Sequence, residues 1–172
     1  QPHVAVAQAD GRVMVYDITQ NKAIQVGAHE QPVRTVNVIK ATNIIMTGGW
    51  DRKLRFWDIR MPGTAARTID LPGKVYAADV HSVQPVGVVA LDHTTGQPNV
   101  SGGLIQPINL RDRSLQGGAK PSQLKLQTRC VTIFPDADGF AVGSIEGRCG
   151  IQYFGASNTQ DFNFKCHRAT VN

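Results

Sequence analysis

An all-β chain, folded as part of a propeller, is what three features of the 172-residue sequence predict. The first is a repeat. "DGRVMVYDI" (Asp10 to Ile18) lines up without a gap on "DRKLRFWDI" (Asp51 to Ile59), an offset of 41 residues. A period near 40 with a Trp-Asp pair closing a strand is the mark of a propeller blade. The second is alternation: short runs such as "VRTVNVI" place apolar side chains at every other position, the period of a strand. The third is punctuation. Gly 17 and Pro 9 are many for a helical chain and suit short strands joined by tight turns.

The elements follow in order. "HVAVAQA", "RVMVYD" and "KAIQVGA" are three strands of a first blade, residues 1–28. "VRTVNVI", "NIIMTG", "LRFWDI" and "AARTIDL" are the four of a second, residues 29–72. "VYAADV", "GVVALD", "LIQPINL" and "SQLKLQ" make a third, residues 73–127, with a long loop, "DHTTGQPNVSGG", inside it. "RCVTIF", "GFAVGSI", "CGIQYF" and "FNFKCH" make a fourth, residues 128–172. The sum is about 15 strands. "EGRCGIQYF" opens like the first two repeats, whereas "GGLIQPINL" is degraded, and its Pro107 assigns that strand to an irregular or edge position. The first blade begins at its second strand, and no strand follows "KCHRATVN" to complete it. The expectation is therefore the middle of a longer ring, with an open edge for a partner chain, a large assembly or further sequence to cover.

One blade carries a polar tetrad: His29, Thr47, Asp51 and Trp57. A buried indole N–H needs an acceptor and a buried carboxylate needs donors. A chain from Asp51 through the His29 ring and the Thr47 hydroxyl to Trp57 satisfies all of them. His29 and Asp51 also have the chemistry of an acid–base pair, but the repeat places them, so the structural reading is preferred. In the last blade Glu146 replaces the Asp, and Gln152 or Tyr153 replaces the Trp. That blade is expected to rely on Val131, Ile133, Phe140, Val142 and Ile151. Asp58 is read as a strand-end residue that accepts from turn amides.

Composition bounds the function. Charged residues are 18 %, too few for a disordered chain, and no run of 18 apolar residues predicts a membrane span. Cys130, Cys149 and Cys166 have no paired short spacing. They are read as reduced and buried, with no metal and no cofactor. No nucleophile elbow, phosphate loop or zinc-protease motif is present, so no catalytic residues are assigned and the chain is not read as an enzyme. Net charge is +5 and the pI about 9.4, which leaves nucleic acid, an acidic peptide and plain solubility all open.

The repeat also aligns cations. Two residues after the turn acid stand Arg12, Lys53 and Arg148, and equivalent turns of successive blades share one rim. Arg129 opens an inner strand and reaches toward the same surface. Trp50, in the turn beside Asp51, is expected to be partly exposed, as interface aromatics are. In "FKCHR" a period of two puts Lys165 and His167 on one face and Cys166 and Arg168 on the other, and Arg168 is preferred as a ligand.

"AIQVGAHEQPVRTVNVIKATN", "MTGGWDRKLRFWDIR", "LPGKVYAADV", "TRCVTIFPDADGFAVGSIEGRCGIQYF" and "DFNFKCHR" together resemble the nuclear-pore messenger-RNA export factors of the WD-repeat propeller family. The resemblance spans the chain apart from residues 93–102 and 111–120. "GSIEGR" followed by "FKCHR" is its most specific part, shared with a sister family, the mitotic checkpoint propellers. It implies a seven-bladed ring of which about four blades are present. It implies a non-enzymatic scaffold at the nuclear envelope, in the pore complex, that supports messenger-RNA export. The implied partner is an FG nucleoporin, bound through an acidic GLEBS-type segment. Weak, sequence-tolerant contact with RNA is a further implication. The alternative is a spindle-checkpoint adaptor that binds such segments on kinetochore kinases. By this resemblance Arg148 is the arginine that holds a glutamate, a bidentate task that suits a guanidinium. Lys165 and Arg168 join or support the grip.

Overall fold

The computed structural model describes residues 3–92, 103–155 and 160–166. Its strands form four antiparallel sheets in chain order. Sheet 1 holds β1 (His3–Ala7), β2 (Arg12–Asp17) and β3 (Lys22–Ala28). Sheet 2 holds β4 (Val33–Ile39), β5 (Ile44–Gly49), β6 (Lys53–Asp58) and β7 (Arg67–Asp70). Sheet 3 holds β8 (Val75–Val80), β9 (Val86–Leu91), β10 (Leu104–Asn109), and two short strands, β11 (Ser114–Leu115) and β12 (Lys120–Pro121). Sheet 4 holds β13 (Thr128–Ile133), β14 (Gly139–Ser144), β15 (Arg148–Tyr153) and β16 (Phe162–Lys165). The innermost strands β4, β8 and β13 pack side by side, and β1 lies against β4. This is a partial WD-type propeller.

Sheet faces meet in three apolar layers. Val13, Val15 and Val26 pack on Ile45 and Trp57 between sheets 1 and 2. Met46, Leu54, Phe56 and Ile69 pack on Val75, Val89 and Leu91 between sheets 2 and 3. Val88, Ala90 and Ile105 pack on Leu124, Ile133, Phe140 and Val142 between sheets 3 and 4. Each fully buried aliphatic side chain contributes about 1.5–3 kcal/mol. The second strands of the two middle sheets are covered on both faces, so β5 ("IIMTGG") is buried at every residue and β9 at all but its first. That is why its sequence is a continuous apolar run rather than an alternating one.

Several expectations need correction. "SQLKLQ" is not a strand: residues 122–127 lie between β12 and β13 as bends and irregular chain. The outer edge of sheet 3 is instead split between β11, opposite Ile108 and Asn109, and β12, opposite Leu104 and Ile105. Pro107 falls at the split, but it does not put β10 at an edge, since β10 pairs with β9 along one side and with β11 and β12 along the other. The Pro107 carbonyl accepts the Gln116 N–H at 3.0 Å, on the outer side. In a strand the N and C=O of one residue point the same way, so the missing N–H also faces outward. The irregularity falls on the outer neighbour, where the Gln106 amide bonds the carbonyls of Pro107 and Gly117 at 2.9 and 3.2 Å.

The cysteines are free, as read, but not buried: Cys130 is exposed, and Cys149 and Cys166 are partly exposed. Cys130 and Cys149 both pair with Gly143, so they share one face of sheet 4. Partial burial, with the neighbouring thiols Cys166 and Cys130, pushes the Cys149 thiol pKa up. Ile151 pairs with Ala141, one residue out of step with Phe140 and Val142, so it lies on this same face and outside the core layer it was assigned to.

Candidate functional site

The end of β3 in sheet 1 meets β5, the β5–β6 turn and β6 of sheet 2, and together they bring four polar side chains into one group. The Trp57 indole N–H donates to Thr47 Oγ1 at 2.7 Å. Thr47 Oγ1 lies 2.8 Å from His29 Nε2, and His29 Nδ1 lies 2.9 Å from Asp51 Oδ1. One assignment of protons satisfies every member: Nδ1–H donates to Asp51, and Nε2 accepts the threonine hydroxyl. Asp51 also accepts the backbone N–H groups of Lys53 (3.2 Å) and Glu30 (3.3 Å). Burial holds the His29 pKa below its usual value, against the pull of Asp51. Backbone makes room for the group: a Cβ on Gly27 would stand 2.0 Å from the Trp57 ring, and one on Gly49 would stand 2.5 Å from Asp51 Oδ1. The strand-end Asp58 accepts the Arg60 N–H at 3.0 Å, and the Arg60 guanidinium at 2.6 and 2.9 Å holds its carboxyl at about 2.

Strand register identifies the corresponding residues in sheet 4. Trp57 pairs with Ile45, and Gln152 pairs with Phe140 in the same place. Thr47 corresponds to Val142 and Asp51 to Glu146, and His29 and Leu124 each stand four residues before the first residue of their inner strand, Val33 and Thr128. Leu124 and Val142 are buried and apolar. No network forms: Gln152 is buried and its Oε1 finds no hydrogen-bond partner among the described residues.

The turns carrying Asp10, Asp51 and Glu146 stand at one end of their sheets, and Arg12, Lys53 and Arg148 are the first residues of β2, β6 and β15. Their charges are differently engaged. Arg12 Nε bonds Asp10 at 2.7 Å. Lys53 Nζ lies 3.8 Å from Glu30. Arg148 is oriented from two sides, by Asn163 Oδ1 at 3.0 Å from Nη1 and Glu146 Oε2 at 3.4 Å from Nε. Lys165 is exposed directly across from it on β16. Arg129 is exposed at a bulge in β13. Trp50 is 36 % exposed, with Lys74 Nζ 5.7 Å above its ring and Tyr76 6.2 Å away. Arg168 and His167 lie outside the described residues.

Three residues on this rim were not singled out in the sequence. Arg55 is a mostly buried cation 3.8 Å from Asp51 and 3.7 Å from Glu30. Arg34 and Tyr76 occupy bulges in β4 and β8 that match the Arg129 bulge in β13. Setting "VRTV" over "TRCV", the openings of two inner strands, is the signal that pairs Arg34 with Arg129. Among the described residues no group of three or more His, Cys, Asp or Glu could hold a metal ion.

Residues 21–58 match the WD domain, G-beta repeat family model. The chain is 40 % identical to the mRNA export factor rae-1 of Caenorhabditis elegans, over 96 % of its own length and 44 % of that protein. It is 38 % identical to the poly(A)+ RNA export protein of Schizosaccharomyces pombe, over 96 % of this chain and 45 % of that one. The mitotic checkpoint protein bub3 of Dictyostelium discoideum is 34 % identical, over 93 % of this chain and 46 % of its own. The chain thus spans less than half the length of these relatives.

Proposed function

We propose that this chain, a relative of the messenger-RNA export factors of the WD-repeat propeller family, forms part of a non-enzymatic scaffold that docks an acidic segment on its cationic rim. The segment is of the GLEBS type carried by an FG nucleoporin, and the setting is the nuclear pore during messenger-RNA export. One observation carries the reading. Arg148 stands at the exit of the "GSIEGR" turn, oriented by Asn163 and Glu146, and its Nη2 makes no hydrogen bond among the described residues. A guanidinium held in this way meets an incoming carboxylate with less ordering cost than a mobile lysine. The whole rim supports the same partner, since it adds the cations Lys165 and Arg129 and the aromatic Trp50. Contact with RNA on this reading is a phosphate attraction without base readout, and it weakens steeply as salt is raised.

A pull-down with two peptides, one from an FG nucleoporin and one from a checkpoint kinase, tests the proposal. The nucleoporin peptide is expected to be retained and Arg148→Ala to release it. Preference for the kinase peptide would assign the chain to the checkpoint reading that its similarity to the Dictyostelium protein favours.

A further inference from the structure

We infer that the rim's ligand lies along the bulges of the inner strands, on Arg34, Lys74 and Arg129, and not on Arg12 and Lys53. The inference rests on the acidic-segment reading above and names which cations serve it.

The repeat treats Arg12, Lys53 and Arg148 alike, but the structure separates cations by what already faces them. Arg12 is closed on Asp10 at 2.7 Å. Lys53 and Arg55 share Glu30, and Arg148 is partly engaged, by Glu146 at Nε and Asn163 at Nη1, with Nη2 left unbonded among the described residues. Arg34 and Arg129 are exposed and make no side-chain hydrogen bond or ion pair with any described residue. The Lys74 ammonium lies over the Trp50 ring and makes no ion pair with a described residue, while the neighbouring Asp92 carboxylate is taken up by the Lys74 backbone N–H at 2.6 Å. An incoming carboxylate gains most where no internal carboxylate must first be displaced.

Position joins these free charges. Each inner strand carries a bulge one residue from its start: between Val33 and Thr35, between Val75 and Ala77, and between Thr128 and Cys130. A bulge leaves one residue out of the ladder and re-aims its side chain. The residues so placed are Arg34, Tyr76 and Arg129, on three strands that lie side by side. Beside each bulge the chain after the second strand donates to the chain before the inner strand: Trp50 to Pro32 (2.9 Å), Asp92 to Lys74 (2.9 Å) and Ile145 to Gln127 (3.1 Å). Trp50 and Ile145 therefore hold equivalent places, at 36 % and 53 % exposure.

Cations and apolar groups thus alternate along the inner rim. The complementary ligand is an extended peptide in which glutamates or aspartates alternate with apolar side chains. Nucleic acid fits less well. Bases need a free aromatic face to stack on, and Lys74 already lies over the Trp50 ring with Tyr76 beside it.

The test is fluorescence anisotropy with three labelled probes: a glutamate-rich peptide with interspersed leucines, the same peptide with serine for leucine, and an oligouridylate of equal charge. Arg34→Ala, Lys74→Ala and Arg129→Ala are each expected to weaken the first peptide about tenfold, and Arg12→Ala and Lys53→Ala less than about twofold. The serine peptide is expected to bind more weakly than the leucine peptide. All five side chains lie on the surface rim, and circular dichroism checks that each variant is folded. If peptide affinity falls with Arg12→Ala or Lys53→Ala and survives Arg34→Ala and Arg129→Ala, the inference is overturned while the acidic-segment reading stands. If the folded wild type binds neither peptide, the acidic-segment reading itself fails. Binding of oligouridylate alone overturns both.

Discussion

One residue from the end of β6 in sheet 2, facing sheet 1, stands Trp57; at the same register position in β15 of sheet 4 stands Gln152. Around Trp57 every polar atom of His29, Thr47 and Asp51 has a partner at 2.7 to 3.3 Å. Around Gln152 the corresponding positions are Leu124 and Val142, and the amide oxygen has no partner among the described residues. One backbone plan therefore supports two interiors. A satisfied polar chain specifies a single packing but makes every member indispensable. An aliphatic interior tolerates the loss of any one contact and is penalised only where a polar atom remains.

The largest test of that contrast is Trp57→Ala, which empties a tightly filled site against Gly27. It is expected to cost about 3–5 kcal/mol in urea unfolding, whereas Gln152→Ala costs about 1 kcal/mol or less. Equal costs would erase the distinction. Asp51→Ala comes next. The Asp51 side chain is 2 % exposed, and its removal strands the His29 Nδ1–H and two backbone amides, for a loss of about 3 kcal/mol. Glu146→Ala, at the matching position but 13 % exposed, is expected to lose less than half as much by the same measurement. Thr47→Val breaks the middle link while keeping the shape and is expected to cost about 1–3 kcal/mol. The opposite sign is expected in sheet 4, where Gln152→Leu removes an amide whose oxygen has no partner among the described residues and raises stability by up to about 1 kcal/mol. A fall in the urea midpoint for that variant would show that Gln152 is satisfied after all.

The smallest effect is that of pH. The His29 pKa is lowered on folding from 6.5, through burial. The unfolded chain then binds a proton that the folded chain resists, so this contribution is complete above pH about 6.5 and declines as pH falls below it. A His29→Gln variant is expected to lose that part of the slope, and an unchanged profile would place the slope elsewhere.

Much of this was legible because the repeat fixes it. A shared period aligns Asp10 with Asp51, and alternation within each run marks which residues enter the layers between sheets. Members of the tetrad could be named because one buried indole and one buried carboxylate demand particular partners, whatever the details of packing. The sequence erred where a local rule met a neighbour. Pro107 signals an interrupted ladder but not which side is interrupted; that depends on which way its carbonyl points, and it points to Gln116. "SQLKLQ" has strand-like alternation but no partner edge that it could reach beyond the split outer strands.

By itself the sequence determined the all-β class, the blade period, the tetrad and the presence of cations on a common rim, because these follow from residue type and spacing. Only the tertiary structure decided which cations remain free. Arg12 and Arg34 are both exposed arginines near strand starts, and the acid two residues before Arg12 does not by itself say that the two side chains meet, since Lys53, at the same spacing from Asp51, lies beside Glu30 instead. The difference is a carboxylate at 2.7 Å from one and a bulge that turns the other away from the ladder. Charge availability is a property of three-dimensional neighbours, since a Coulomb attraction depends on distance and not on separation along the chain.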